Sequence, residues 1–474
     1  MLFQNNANMI TTEELIEICM KEFQNSKERG LMLTGQRYYE AENDIRERKM
    51  YRYDSEQRPI LDRQKPNNKL IHSFMHLFVE DKINYLLARP YTISADDTVY
   101  SDKVIETLGK NFQRRFVKLG REASNKGVAW LFPYISEGGT FKAFIAPSEQ
   151  CVPLWSDNEH EELDALIYFY EMDVYEGKEK KKVTKIEYLT PYSIEYYVMD
   201  GNTIKLDSER YLKLQADGTY TEIQETGHFL VDDAPMSWGR VPAIPFKNND
   251  YEIPDVQFIK TLIDDYDKSR SDVSNTLEEI RSAIFGLKGY GGQNLAEFMR
   301  DLSYYRAVLL DEDGVIEQYN PNLDISAAKE HFDTLKEDIY SLGQAVHKSS
   351  DKIGNSPSGV SLKFLYSGLD LKCNSMESNF QWAFGELMYF INKYWEVTGQ
   401  DTFWNKDISI VFNRDIQINE TEAVTNCANS KGIISDKTII ENHPFVTDAV
   451  KEMQQIEEEM QSPEEDMFQN EGDE

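Results

Sequence analysis

Apolar residues recur at helical spacing along most of this chain, with a central stretch in which they alternate instead. Residues 11 to 48 read as helical, with Thr11 or Thr12 as N-cap and Leu15, Ile16, Ile18, Cys19 and Phe23 at helical intervals. A second helical run is predicted after Asn67-Asn68, carrying Leu70, Ile71, Phe74, Leu77, Phe78, Ile83, Leu86 and Leu87 until Pro90 stops it. A third covers Asp102 to Asn125, with Val104, Leu108, Phe112, Phe116 and Leu119 on one side. From Gly127 the texture becomes that of strands. Val128 to Phe132, Phe141 to Ile145, Ala165 to Glu171, Val183 to Leu189, Ser193 to Met199 and Tyr211 to Leu214 are separated by turns such as Asp200-Gly201-Asn202. Residues 127 to 246 are therefore expected to form an antiparallel meander, with Lys178 and Lys180 to Lys182 at a solvated hairpin tip.

The pattern switches again after Pro254. Ile259, Ile263, Tyr266, Val273, Leu277, Ile280 and Ile284 predict one amphipathic helix of about 30 residues, on the order of 45 Å long. Residues 286 to 321 read as a compact insertion with a hairpin of Ala307 to Leu310 against Val315 to Glu317, turning at Asp313-Gly314. A helix from Ser326 to Ser349, a Gly- and Ser-rich interruption at 351 to 359, and a third long helix from Val360 to Thr398 follow. The remainder has a strand at Ile408 to Phe412, polar helices capped at Asn419, Ser435 and Thr447, and an acidic end expected to be partly disordered.

Composition narrows what such a chain does. Its 474 residues carry 51 Lys and Arg against 83 Asp and Glu, a formal charge of −32. Duplex binders gain affinity by replacing counterions with clustered cations, so general adhesion to nucleic acid is excluded and any DNA contact has to be local or weak. Cys19, Cys151, Cys373 and Cys427 are too scattered for a Cys-x-x-Cys motif, which fits a reducing compartment. No run approaches the roughly 18 apolar residues of a membrane span, and Met1 to Asn8 has no basic segment leading into an apolar one, so neither secretion nor membrane insertion is expected.

Catalytic motifs are missing. There is no Gly-x-x-x-x-Gly-Lys-Ser/Thr phosphate loop, and Gly286 to Gly292 reads as a structural turn. His160-Glu161 is followed by Asp164 where a zinc-protease helix needs a second His, and His72 with His76 lacks a third ligand. Dispersed carboxylates leave room for a metal-dependent nuclease or hydrolase, and the long helices for an acidic scaffold, as alternatives.

Five ordered segments carry a more specific signal. They are Tyr38-Tyr39-Glu40-Ala41-Glu42-Asn43-Asp44-Ile45; Asn67-Asn68-Lys69-Leu70-Ile71 with Tyr85-Leu86-Leu87-Ala88-Arg89-Pro90; Gly239 to Asn249 leading into Leu262 to Asp267 and Ser271-Asp272; Ser358 to Lys363; and Phe412-Asn413-Arg414-Asp415. Together they resemble the portal proteins of tailed bacteriophages, in the family typical of long-tailed phages of Gram-positive hosts, with Ala41 and Ala88 where that family usually has Gly.

The resemblance implies an α+β portal fold: wing 1–252, stem helix 253–285, clip 286–322, second stem helix 323–350, tunnel loop 351–359, long wing helix and returning strand 360–414, helical crown 415–460 and acidic tail 461–474. It implies a ring, usually of twelve subunits, at one capsid vertex of the virion, assembled in the host cytoplasm, through which double-stranded DNA is packaged and ejected. Lys352, Ile353, Gly354, Asn355 and Ser356 would face the channel, and Tyr290, Arg300, Tyr304 and Arg306 would meet the motor or adaptor. Its partners would be the terminase motor and the adaptor, scaffolding and major capsid proteins. No catalytic residue, metal or cofactor is expected.

Overall fold

The computed structural model describes residues 10–63, 65–176, 179–201, 203–214, 220–222, 226–231, 234–280, 284–288, 315–319, 325–348, 359–414, 420–446 and 449–461. Helix α1 (Thr12–Gln24) opens with a capping box: the Glu14 N–H donates to the Thr11 hydroxyl, and Glu14 accepts from the Thr11 N–H. The single helical stretch expected over 11–48 is in fact broken, because Ser26 caps a new helix, α2 (Lys27–Tyr39), by accepting from the Arg29 N–H. A short 3₁₀ turn, Asp44–Glu47, and a small hairpin of β1 (Tyr51–Tyr53) and β2 (Pro59–Leu61) follow.

The next expected helix also starts late. Residues 67–73 are not helical, and α3 (Phe74–Leu87) begins at Phe74. Strand β3 (Thr92–Ala95), not anticipated from sequence, precedes α4 (Thr98–Leu108) and α5 (Phe112–Lys126). These two replace one predicted helix because Gly109, at φ +74, takes a left-handed conformation that ends the first.

The central β region forms two main sheets rather than one meander. β4 (Val128–Ile135) and β5 (Phe141–Ala146) pair antiparallel, while β6 (Cys151–Trp155), β7 (Leu163–Glu176), β8 (Glu179–Leu189), β9 (Ile194–Asp200) and β10 (Thr203–Leu206) form an antiparallel five-stranded meander in sequence order. Lys180 and Lys182 near its hairpin tip pair with Asp173 and Glu171 across the strands. Two short hairpins, β11 (Leu212–Leu214) with β12 (Tyr220–Glu222) and β13 (Phe229–Val231) with β14 (Ala234–Met236), lead to β15 (Ile244–Lys247), which joins the other edge of β4. Central β4 is buried on both faces, so its apolar run is continuous: Ala129 and Leu131 enter the helical core, while Trp130 and Phe132 face the second core beside Leu166 and Leu189. On the meander, Ile16 and Met20 of α1 cover Ile167, Phe169 and Ile186.

Helix α6 (Lys260–Ile280) is 21 residues long, shorter than the expected thirty, since a 3₁₀ turn occupies Asp255–Phe258 and Ile284 lies in a strand. That strand, β16 (Ile284–Lys288), pairs antiparallel with β17 (Val315–Tyr319). The expected strand at 315–317 is thus present and pairs with β16; its expected partner, 307–310, lies outside the described residues. Helix α7 (Ile325–Leu342) stops before the predicted Ser349. Gly343 lies so close to the Phe78 ring that an added Cβ would come within 2.8 Å, and Gln344 takes a left-handed φ of 51°. Val346 is buried as predicted, but on the segment beyond the helix.

Helix α8 (Gly359–Val397) runs its predicted length, burying Leu369, Cys373, Met376, Phe380, Leu387 and Ile391 along one stripe. β18 (Ile408–Val411) pairs with β3, and α9 (Glu420–Asn429), α10 (Asp436–Glu441) and α11 (Ala449–Gln461) complete the described chain. Ser435 caps α10 as expected; Asn419 and Thr447 lie outside the described residues. Among the described residues no helix is long and apolar enough to cross a membrane.

One half-buried histidine sets a pH response. His228 donates through Nε2 to the Thr190 carbonyl at 3.0 Å and accepts the Trp238 N–H at Nδ1 at 3.1 Å, which fixes the neutral tautomer. Burial pushes its pKa down from 6.5 to about 4, only partly opposed by the backbone bonds of Thr190 and Ser193. The unfolded chain takes up this proton at a pH where the native chain does not, so folding stability is lost as pH falls from about 6.5 to 4. Urea titrations at pH 7, 6, 5 and 4 should show this loss, and His228→Gln should remove up to one proton of the slope; an identical slope in the variant would contradict it.

Candidate functional site: the joints of the long helices

The polar face of α6 holds the extended segment 67–72 through a ladder of side-chain bonds. The backbone N–H groups of Asn68, Leu70 and His72 donate to Asn275 Oδ1 (2.7 Å), Ser271 Oγ (2.9 Å) and Asp267 Oδ1 (3.0 Å). Two residues of extended chain span about 6.7 Å and four of helix about 6 Å, so alternate amides meet successive turns. Asp267, fully buried, also accepts from Asn43 Nδ2 at 2.6 Å and contacts His72 Nδ1 at 2.7 Å. Asn68 Nδ2 donates to Glu278, and Arg48 pairs with Asp272.

One turn earlier, Tyr38 donates to Asp264, and Lys260 Nζ stands 2.6 Å from both Asp44 and Asp264. Burial opposes the charge on Lys260, but the two carboxylates hold its pKa above the ordinary lysine value. Two of the resemblance segments, 38–45 and 67–71, therefore converge on the third, 262–272.

A second joint is built around buried charge. Lys82 of α3, 1 % exposed, reaches Asn248 Oδ1 and Asp255 Oδ2, the latter at 3.2 Å. Lys372 of α8 approaches the same carboxylate oxygen at 3.2 Å and donates to the Gly343 carbonyl at the end of α7. Asn248 Nδ2 closes the group on Asp255 Oδ1 at 3.0 Å. Although burial pushes the Asp255 carboxyl up, Lys372 and Lys82 together hold it below the usual carboxylate range. Burial likewise drives Lys82 down against the pull of Asp255. Four elements, α3, the lead into α6, the end of α7 and α8, thus share one ionic centre.

At the third joint Arg414, beyond β18, pairs with Asp370 and Glu377 of α8, while Asn413 Nδ2 donates to the Pro90 carbonyl. Tyr85 donates to the same Asp370 at 3.0 Å; burial and that bond push its pKa up to about 12.

The channel-facing candidates Lys352, Ile353, Gly354, Asn355 and Ser356, and the clip candidates Tyr290, Arg300, Tyr304 and Arg306, lie outside the described residues. Their flanks are described. Lys348 pairs with Asp81 of α3 at 2.8 Å, and Tyr366 of α8 stacks on Tyr85, with centroids 5.7 Å apart. Lys348, just before segment 349–358, and Tyr366, about two turns into α8, therefore meet α3 about one turn apart. The β16–β17 ladder, from Ile284↔Tyr319 to Lys288↔Val315, similarly draws together the flanks of 289–314.

Sequence reasoning missed the roles of Ser271 and Asn275. Both are poor helix formers four residues apart inside a helix, which is the signal that a neighbouring backbone uses them. Among the described residues no cluster of three or more His, Cys, Asp or Glu is arranged to hold a metal.

These joints define an α+β fold in which ionisable side chains fasten long helices to a sheet-bearing platform. The chain belongs to the phage portal protein family, SPP1 Gp6-like, whose description matches residues 21–466. It is 30 % identical over 432 residues to the portal protein of Bacillus phage SPP1, covering 90 % of this chain and 83 % of that one. It is 28 % identical over 433 residues to the portal protein of Clostridium phage phiCD119, covering 88 % and 90 %. Among solved structures, the neck of a native GTA particle computed with C12 symmetry aligns with 77 % of this chain and 88 % of that one, at 11 % identity and a TM-score of 0.38. The family assignment rests on the sequence relatives and the family match.

Proposed function

We propose that copies of this chain close into a ring, twelve-fold as the resemblance implies, at one capsid vertex, and that double-stranded DNA passes through it during packaging and ejection. The observation that carries this reading is the exposure of Leu277, Leu342, Phe364 and Leu371 on the three long helices. Each helix buries one stripe within its own chain and leaves apolar positions that adjacent copies would cover. In this reading α6 and α7 are the stem, 286–322 the clip, 351–359 the tunnel loop and the chain beyond 415 the crown.

The net charge of −32 per copy supports passage over capture, since carboxylates along a channel repel phosphates and let a duplex slide. The terminase motor and the adaptor, scaffolding and major capsid proteins are the proposed partners, with assembly in the host cytoplasm. Work on the DNA is mechanical, and no bond is made or broken by this chain. Lys352 supplies the local phosphate contact, on a segment whose leading flank, Lys348, is fixed to α3. Lys352→Ala should lower the yield of packaged DNA in procapsids while ring assembly stays intact; an unchanged yield would refute the role.

A further inference from the structure

The β1–β2 hairpin is a folded element with no cover. All six of its strand residues are exposed, including Tyr53 at 72 %. The register Tyr51↔Leu61 and Tyr53↔Pro59 puts two tyrosines, a leucine and a proline on one face, opposite Arg52 and Ile60. An isolated two-stranded hairpin is marginal in water, so such a face asks for a partner surface.

The hairpin is nevertheless well constructed. Asp54 Oδ1 accepts the Glu56 and Arg58 N–H groups at its tip, and the Asp62 N–H donates to the Met50 carbonyl at its base. Below that base, Arg48 pairs with Asp272 and Asn67 donates to the Arg48 carbonyl, so the hairpin is mounted on α6 and held away from its own chain's core.

Charge identifies the occupant. Between Arg46 and Lys69 stand eight Lys or Arg against four Asp or Glu, in a chain whose net charge is −32. Among the described residues Lys49, Arg52, Arg63 and Lys65 make no ion pair within the chain. A cationic, apolar arm on an acidic molecule is complementary to another copy of that molecule. We infer that this hairpin is a strap that lies on the acidic surface of the adjacent copy, its tyrosine face covered there and its cations paired with that copy's carboxylates. The inference rests on the ring reading above.

The test compares the full chain with a Tyr51→Ser/Tyr53→Ser/Leu61→Ser variant and with Arg52→Glu. Assembly is followed by native mass spectrometry over a concentration series, and the fold by circular dichroism. Rings mixed from isotopically heavy and light copies are then coupled with a carbodiimide, which joins lysines to carboxylates in direct contact. The strap predicts at least tenfold weaker assembly of both variants at unchanged helicity, and Lys49 or Lys65 joined to carboxylates of the other isotope. Equal assembly, or coupling confined to one copy, overturns the strap alone. Intact variant rings that lose retention of duplex DNA in a gel shift overturn it in favour of a nucleic-acid contact. A wild-type chain that never assembles overturns both strap and ring.

Discussion

Replacing Asp255 by alanine is expected to destabilise the chain by about 3–5 kcal/mol, the cost of leaving a buried charge without its counter-ion. Two lysines share this carboxylate, and Lys82, almost wholly buried, keeps only the Asn248 oxygen when it is gone. The joint would then hold two positive charges close together and no negative one. Adding Lys82→Met removes one of them and supplies a side chain of similar length, so the double variant should recover at least about 1 kcal/mol relative to Asp255→Ala. The urea midpoint at neutral pH reads both effects. A loss below about 1 kcal/mol for the single variant, or a strictly additive further loss in the double, would show that the ionic centre does not fasten these four elements.

The second large effect is expected at Asp267→Ala, at about 2–4 kcal/mol, because three donors lose their acceptor at once; a buried orphan costs about 1–3 kcal/mol, and the two donors of part-exposed His72 less, since water reaches them. Those donors are Asn43 Nδ2, the His72 N–H and the His72 ring nitrogen. Stability alone would not identify the ladder, but hydrogen exchange would. The amides of Leu70 and His72 should lose protection in the variant, while those of the β4–β5 ladder keep theirs. Asp267→Asn retains an acceptor oxygen and should cost less. Unchanged exchange at Leu70 and His72 would mean that segment 67–72 is held by something other than α6.

The parts of this fold that sequence revealed are those whose stabilising contacts repeat locally. The stripe Leu369, Cys373, Met376, Phe380 along α8 announces a long helix because each buried position tests the same period, and the apolar run Val128 to Phe132 announces a strand, though not that both its faces are covered. Segment 67–72 misled for the opposite reason. Leu70 and Ile71 fall on the helical period of α3, yet their backbone is committed to side chains some two hundred residues away, and Leu70 is left exposed. The same non-local bonding hid the pairing of β3 with β18. The lengths of α6 and α7 were overestimated because apolar spacing continues through Ile284 and Val346, although the backbone has already turned into a strand or past Gly343.

The candidate site was legible unevenly. Lys352 and the glycines around it stood out by composition and resemblance, whereas the residues that moor them, Asp81, Tyr85, Lys348 and Tyr366, sit on ordinary helical faces or beyond a helix end and carry no sequence mark. Arg414 and Asp267 could be singled out only as members of ordered motifs. Their roles as joints emerge when α8 and α6 are seen beside them.

The central claim is closure of identical chains into a ring. Cryo-electron microscopy of the full-length chain, alone over a concentration series and co-expressed with its capsid components, tests it most directly. The account predicts class averages with a fixed rotational symmetry and a central opening wide enough for a DNA duplex. Solitary particles in every sample, or open chains of subunits without closure, would contradict it.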